Sequence, residues 1–464
     1  MVLNANSAIL KITMLAIINK FINQRSQKIS SAALTVAFFG LISRLLGLWR
    51  DRLLAGQFGA SRTLDVYYAA FKIPDLIYNL LIAGAISSAL LPVFYEYLTK
   101  DKEEAWRFVA NLLNVLIFVL VVCSLILILF MPQLIYLVAP GFDDASRELT
   151  VDISRLLFLS PLLLGISALA SALLQAFSRF LISSLAPVFY NLGIIFGIVF
   201  LSPHYGIWGL AFGVILGALL HFLIQIPSLL SIGFQFRRLF NFRESGLIKV
   251  AKLWLPRTLG LFAFQINSIV STAIASVLAS GSISIFNFAD NLRWVPIGII
   301  GVAFSTAAFP AMSLAHAQGN KELFLKQFSL AVKQVLLIVV PLSVFIFVFR
   351  TQIVKIILGI GNFNLQNVQL TAAALGLFSF GIFAAALLPL LTRAFFALHN
   401  TKIPVLINVF SMIFNIILSF GFVWYFAGYT NISPILGLPL AITIASIVNL
   451  LWQWVALKKL LSAS

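Results

Sequence analysis

An all-α polytopic membrane protein of about twelve transmembrane helices, in two pseudo-symmetric six-helix lobes around a central cationic cavity, is what three features of this 464-residue sequence predict. Apolar residues make up 61% of the chain and charged residues 10%, against roughly 45–50% and about 25% in soluble domains. Apolar runs of membrane-spanning length recur from end to end. The sequence also repeats itself at an offset of about 218 residues.

The elements follow in order. In residues 1–28, Leu10, Met14, Ile17 and Phe21 share one helical face while Lys11, Asn19, Lys20 and Asn23 interrupt any apolar run. No small-residue cleavage site follows a clean apolar core, so this segment reads as an amphipathic helix in the cytoplasmic interface. Twelve spans follow, centred near residues 40, 82, 122, 163, 191, 217, 265, 302, 340, 380, 414 and 445. The first six form an expected N-terminal lobe over 29–231. A basic cytoplasmic linker covers 232–250, and the last six spans form a C-terminal lobe over 251–464. The single cysteine, Cys123, lies inside the run LIFVLVVCSLILILF and reads as a small lipid- or core-facing side chain.

The formal net charge is +17. With a cytoplasmic N-terminus, the inside segments collect most of the Lys and Arg, among them Lys100, Lys102, Arg107, Arg237, Arg238, Arg243, Lys249 and Lys252. The outside segments keep Arg50, Arg52, Arg62, Arg147, Arg350 and Lys355. Both termini are therefore expected in the cytoplasm. The basic stretch FRRLFNFRESGLIKVAK fits orientation and anionic-lipid contact better than nucleic-acid binding, so no nucleic-acid partner is expected.

The repeat sets IAGAISSALLP (82–92) on IGVAFSTAAFP (300–310), and LAPVFYN (185–191) on KIPVLIN (402–408). RLLGL (44–48) pairs with RTLGL (257–261) at a slightly smaller shift. Three matches in the same order imply a duplicated six-helix unit. An even number of spans inserts both copies the same way, so the relating axis runs along the membrane normal with a substrate site between the halves.

Polar residues inside spans cost at least ~2.5 kcal/mol each when charged, so their placement marks function. Span 1 carries Arg44 and ends on Arg50 and Asp51; span 2 starts with Lys72, Asp75 and Asn79 on one face. Span 7 carries Arg257, with Gln265, Ser268 and Thr272, and span 8 carries Asn287, Asp290, Asn291 and Arg293. These are the first two helices of each half. A surplus of arginine there suits an anion, phosphate above all. Snorkelling to the headgroups is the competing reading, strongest for Arg50 and Lys72 and weaker for Arg44 and Arg257. There is no G-x-x-x-x-G-K-[ST] run for ATP, and the histidines 204, 221, 316 and 399 are dispersed without metal-ligand spacing. No nucleophile–base set converges in one segment, so a transporter without cofactor or metal is expected, not an enzyme.

SRLLGLWRD (43–51), FGAS followed by LDVYYAAFKIPDL (58–76), SSALLPVF (87–94), APGF (139–142), VPIGIIGVAFSTAAFPAMS (295–313) and LHNTKIPV (398–405) resemble the lipid II flippases of the MurJ/MviN family, in order from about residue 30 to 460. The family belongs to the multidrug, oligosaccharidyl-lipid and polysaccharide exporters. The resemblance implies movement of undecaprenyl-pyrophosphate-linked peptidoglycan precursor, lipid II, from the inner to the outer leaflet of the bacterial cytoplasmic membrane by alternating access. It also implies a functional link to cell-wall synthases. The alternatives are a flippase for another polyprenyl-linked oligosaccharide and a cation-coupled drug exporter, which the surplus of Arg and Lys disfavours. The family's site residues carry over to Arg44, Arg50, Asp51, Asp65 and Lys72. Two family arginines are replaced, by Tyr78 and by Asn291, and Arg257 and Arg293 are expected to supply the charge. Members usually have fourteen spans, the last pair shaping a groove for the lipid tail; twelve are expected here.

Overall fold

The computed structural model describes residues 29–83 and 89–463, and all regular structure among them is helical. Residues 1–28, expected to be amphipathic, and residues 84–88, which include the repeat positions Ala85 and Ser87, lie outside the described residues. The helices run α1 (Ile29–Phe58), α2 (Arg62–Ala70), α3 (Lys72–Tyr78), α4 (Leu91–Leu98), α5 (Lys102–Leu129), α6 (Met131–Val138), α7 (Asp144–Leu157), α8 (Leu159–Ala176), α9 (Phe180–Phe196), α10 (Ser202–Tyr205), α11 (Ile207–Leu223) and α12 (Ile226–Ser231). They continue as α13 (Ser245–Ser276), α14 (Ser282–Pro296), α15 (Val302–Ala317), α16 (Lys321–Leu358), α17 (Leu365–Ser379), α18 (Ile382–Ala397), α19 (Lys402–Tyr429) and α20 (Gly437–Ala463).

Among the described residues, eight helical segments are long and apolar enough to cross a membrane, or nine if α17 and α18, bent by 47°, make one span. Length and composition thus account for eight or nine of the twelve expected spans. With nine counted, the remaining three, spans 1, 2 and 7, fall on α1, the helical pieces between Lys72 and Leu98, and α13. With 30 and 32 residues, α1 and α13 reach roughly 45 Å at 1.5 Å per residue, enough for a core about 30 Å thick.

One irregularity recurs with the sequence repeat. A π-helical turn at Asn79–Ala83 is matched by another at Ile297–Gly301, 218 residues on. A π-turn leaves carbonyls without the usual i+4 partner and bends the helix, so the same device sits at the same place in both copies.

The described residues form two compact units. The first holds 29–50, 73–131 and 152–261; the second holds 51–72, 132–151 and 262–463. Chain order and spatial grouping therefore differ. Helix α1 passes from one unit to the other between Arg50 and Asp51, and the ends of α1, α2, α6 and the start of α7 belong with the C-terminal helices.

In the first unit, α9 and α11 meet along a glycine seam. A Cβ on Gly193 would stand 2.3 Å from Gly217 Cα, and one on Gly197 would stand 2.4 Å from Gly213 Cα. Without a hydrophobic drive between helices in lipid, such close backbone approach supplies the packing energy. Gly193→Val should therefore lower stability by about 3 kcal/mol, since only backbone could yield; thermal unfolding in detergent measures it. Nearby, Ser167 Oγ lies 2.6 Å from His221 Nδ1, and Gln225 Nε2 donates to Ser167 Oγ at 2.6 Å and to His221 O at 2.9 Å. His221 thus pins α8 to α11 as a packing residue.

The second unit is built around the fully buried rings of Phe288, Phe324, Phe378 and Phe395. Buried amides tie α19 to α20: Asn408 Oδ1 accepts from Asn449 Nδ2 at 2.9 Å and from Gln453 Nε2 at 3.1 Å.

Candidate functional site

The candidate residues fall into two groups, one in each unit. In the first unit, Arg44 is exposed on α1 and Arg50 is half-buried two turns later. Arg50 Nη1 donates to Asn191 Oδ1 at 3.4 Å, and Asn191 Nδ2 donates to Ser43 Oγ at 3.2 Å and Ser43 O at 3.3 Å. Asn191 Nδ2 also reaches the Pro187 carbonyl, one turn earlier on α9, at 3.0 Å. On α3 and the π-turn, Asp75 is exposed, Tyr78 is half-buried, and Asn79 Nδ2 donates to the Asp75 carbonyl at 2.8 Å. Arg257 lies on α13 by its backbone; its side chain lies outside the described residues.

In the second unit, Asp65 is the organising group. It sits on α2, in the connection between spans 1 and 2, and is 1% exposed. Its carboxylate accepts from Gly281 N at 2.7 Å, Ser284 N at 2.8 Å and Ser284 Oγ at 2.7 Å. The N-cap of α14, Gly281, offers no side chain to its own helix. An acid from α2 therefore satisfies the orphan N–H groups and meets the positive end of the helix dipole. Only glycine serves at the cap: its φ is +88°, and a Cβ there would stand 2.3 Å from Ala60 O. Burial pushes the Asp65 carboxyl up to about 6, while the bonds from Ser284 and Gly281 and the charge of Arg62 pull it back down.

Further contacts tie the same segments to the C-terminal helices. Asp51, buried at the end of α1, accepts from Asn291 Nδ2 at 3.0 Å, and Lys72 Nζ donates to Ser268 Oγ at 3.1 Å. Arg52 donates to the Ile356 and Ile357 carbonyls at the end of α16. The Asn362 amide bonds Gly56 O at 2.8 Å, and Gly141 N bonds Ser276 Oγ at 3.1 Å. Arg293 is 8% exposed, pairs with Asp290 at 2.5 Å and lies 4.2 Å over the Phe378 ring. Its guanidinium is engaged within α14 and α17.

The structure therefore groups Asp51, Asp65, Lys72, Asn291 and Arg293 in one unit, as anchors with assigned partners, and Arg44 and Arg50 in the other. Reading the sequence missed Asn191, Ser43, Gly281 and Ser284. The SGSIS run at 280–284, a glycine followed by alternating serines before a helix, carried a start signal that could have flagged α14's cap. Among the described residues, no group of three His, Cys, Asp or Glu could hold a metal ion.

Residues 54–463 match the protein family described as lipid II flippase MurJ. The chain belongs to that family. The MurJ family is a family of membrane transporters, not of catalytic enzymes. A probable lipid II flippase MurJ of Buchnera aphidicola subsp. Schizaphis graminum is 33% identical over 426 residues, covering 91% of this chain and 82% of its own length. The lipid II flippase MurJ of Burkholderia cenocepacia is 30% identical, with 92% and 83% covered. A solved MurJ in an inward closed conformation superposes with a TM-score of 0.78 at 25% identity, covering 92% of this chain and 87% of that one. An inward-facing multidrug MATE transporter of the MOP superfamily, at 16% identity, shares the fold with a TM-score of 0.74 over 91% of this chain and 95% of that one.

Within this MurJ-family site, Asn291→Arg should be tolerated. The added guanidinium would meet Asp51, the partner that Asn291 already contacts, and replace a neutral bond by a charge-assisted one. Unchanged transport and an unchanged or slightly raised melting temperature are expected. Loss of folding would show that the Asp51 environment has no room for a cation.

Proposed function

We propose that this chain moves lipid II, the undecaprenyl-pyrophosphate-linked peptidoglycan precursor, from the inner to the outer leaflet of the bacterial cytoplasmic membrane by alternating access. The family match over residues 54–463 carries the reading. Arg44 and Arg50 on α1 support it, because guanidinium groups on an apolar helix suit a pyrophosphate. Both termini are cytoplasmic in this reading, from the concentration of Lys and Arg in alternate loops. The duplicated six-helix lobes are 29–231 and 251–464. The product is consumed outside by cell-wall synthases. Arg44, Arg50 and Arg257 contact the headgroup, and Asp51, Asp65, Lys72, Asn291 and Arg293 set the helices of the second unit that carry the site.

Rescue of a strain depleted of its own lipid II flippase tests the function. Growth and externalised lipid II should return with the wild-type chain and fail with Arg50→Ala at normal abundance. Losing one charged contact to a buried phosphate costs about 2–5 kcal/mol, enough to stop transport. No rescue by an abundant wild-type chain would overturn the assignment.

A further inference from the structure

Residues 232–244, between α12 and α13, are held rather than free. Asn114 Nδ2 on α5 donates to the carbonyls of Arg237 and Leu239, both at 2.8 Å. One turn earlier, Asn111 Nδ2 donates to Asn241 O at 2.9 Å, and Asn111 Oδ1 accepts from Asn241 N at 2.7 Å. Arg237 pairs with Glu103 at 3.0 Å. Two side-chain amides on successive turns thus clamp the strap along α5. Phe240 and Phe242 meet edge to face at 4.9 Å and both meet Phe118, at 5.3 and 6.0 Å.

The clamp leaves a definite outer face. Phe236, Phe240 and Phe242 are exposed, as are Arg238 and Arg243. The strap thus exposes three rings and two arginines between Phe236 and Arg243. The strap lies where the charged start of α5, Lys102–Glu104, gives way to its apolar stretch, which is the depth of a headgroup layer. Rings beside arginines at that depth match the chemistry of an anionic interface: rings at the acyl boundary, guanidinium groups on phosphates.

We propose that this strap is a docking surface for anionic phospholipid headgroups of the cytoplasmic leaflet. Its sidedness rests on the orientation proposed above. Charge complementarity selects the occupant: Arg238 and Arg243 are exposed, Arg237 is already paired with Glu103, and the acid of the strap, Glu244, is half-buried and accepts from Asn111.

The test uses the full chain with Cys123→Ser and a nitroxide on Phe236→Cys, in vesicles of phosphatidylcholine alone or with about 30% phosphatidylglycerol. The nitroxide should be relaxed by oxygen and shielded from a water-soluble nickel chelate, more so with phosphatidylglycerol. Arg238→Gln with Arg243→Gln should remove that increment, each arginine contributing about fivefold to headgroup binding. A nitroxide open to the nickel chelate in phosphatidylglycerol vesicles would overturn the proposal and point to a soluble partner. An increment that survives the double substitution would overturn it too. Vesicles with the same lipid in both leaflets make these readouts independent of sidedness, which ascorbate reduction of the label in spheroplasts reports separately.

Discussion

Asp65→Ala is expected to abolish transport and to lower stability by on the order of 3 kcal/mol. The substitution removes one acceptor from three donors at once, leaving Gly281 N, Ser284 N and Ser284 Oγ without their partner in a dry site. It also strips the start of α14 of the charge that its dipole faces. Asp65→Asn should lie between, since an amide oxygen keeps part of the acceptor set. The pH dependence separates the two. With the carboxyl held near 6 when buried against 3.8 when exposed, ionising it in place costs stability. That cost is absent below 3.8, grows through the window and is complete above 6, so the wild type should lose ground to Asp65→Asn as pH rises from about 4 to 6 and then hold a constant difference. Melting temperatures of the purified variants, with growth rescue, measure both effects. An Asp65→Ala variant that melts and complements normally would show that α14 needs no cap from α2.

Arg293→Met should cost about 3 kcal/mol. This is the low end for breaking a buried ion pair, because Asp290 keeps 26% of its side chain exposed. Methionine preserves the contact area on Phe378 but leaves the Asp290 carboxylate uncompensated. Adding Asp290→Asn removes the stranded charge and should restore much of the loss, giving a coupling energy above about 1 kcal/mol in a double-mutant cycle. If Arg293 instead supplied charge to the substrate, the single variant would lose transport while melting normally, and the second substitution would not help. Paired melting and transport assays separate the roles of this residue.

The spans were legible because a bilayer imposes a local condition: about 20 apolar residues must bury their own hydrogen bonds. The duplication was legible too, down to the offset at which two π-turns recur. The family could be read from short motifs in order along the chain. Cations on α1 were visible as charges flanked by apolar sequence, since a charge in lipid stands out without knowledge of its neighbours.

Tertiary structure decided the partners. Asp65 and Ser284 are 219 positions apart, and the repeat, which aligns positions rather than contacts, does not pair them. The same holds for Asp51 with Asn291, and for His316 and His399, whose rings come within 5.5 Å although the sequence shows them as dispersed. Arg293 was expected to add charge for a ligand; packing sets it on Phe378 with Asp290 as its counter-ion. Composition and hydrophobic length report what each segment needs from its solvent. Which buried polar group meets which is settled only when helices pack, because the cost of an unpaired group in a dry interior selects one pairing among many that the sequence allows.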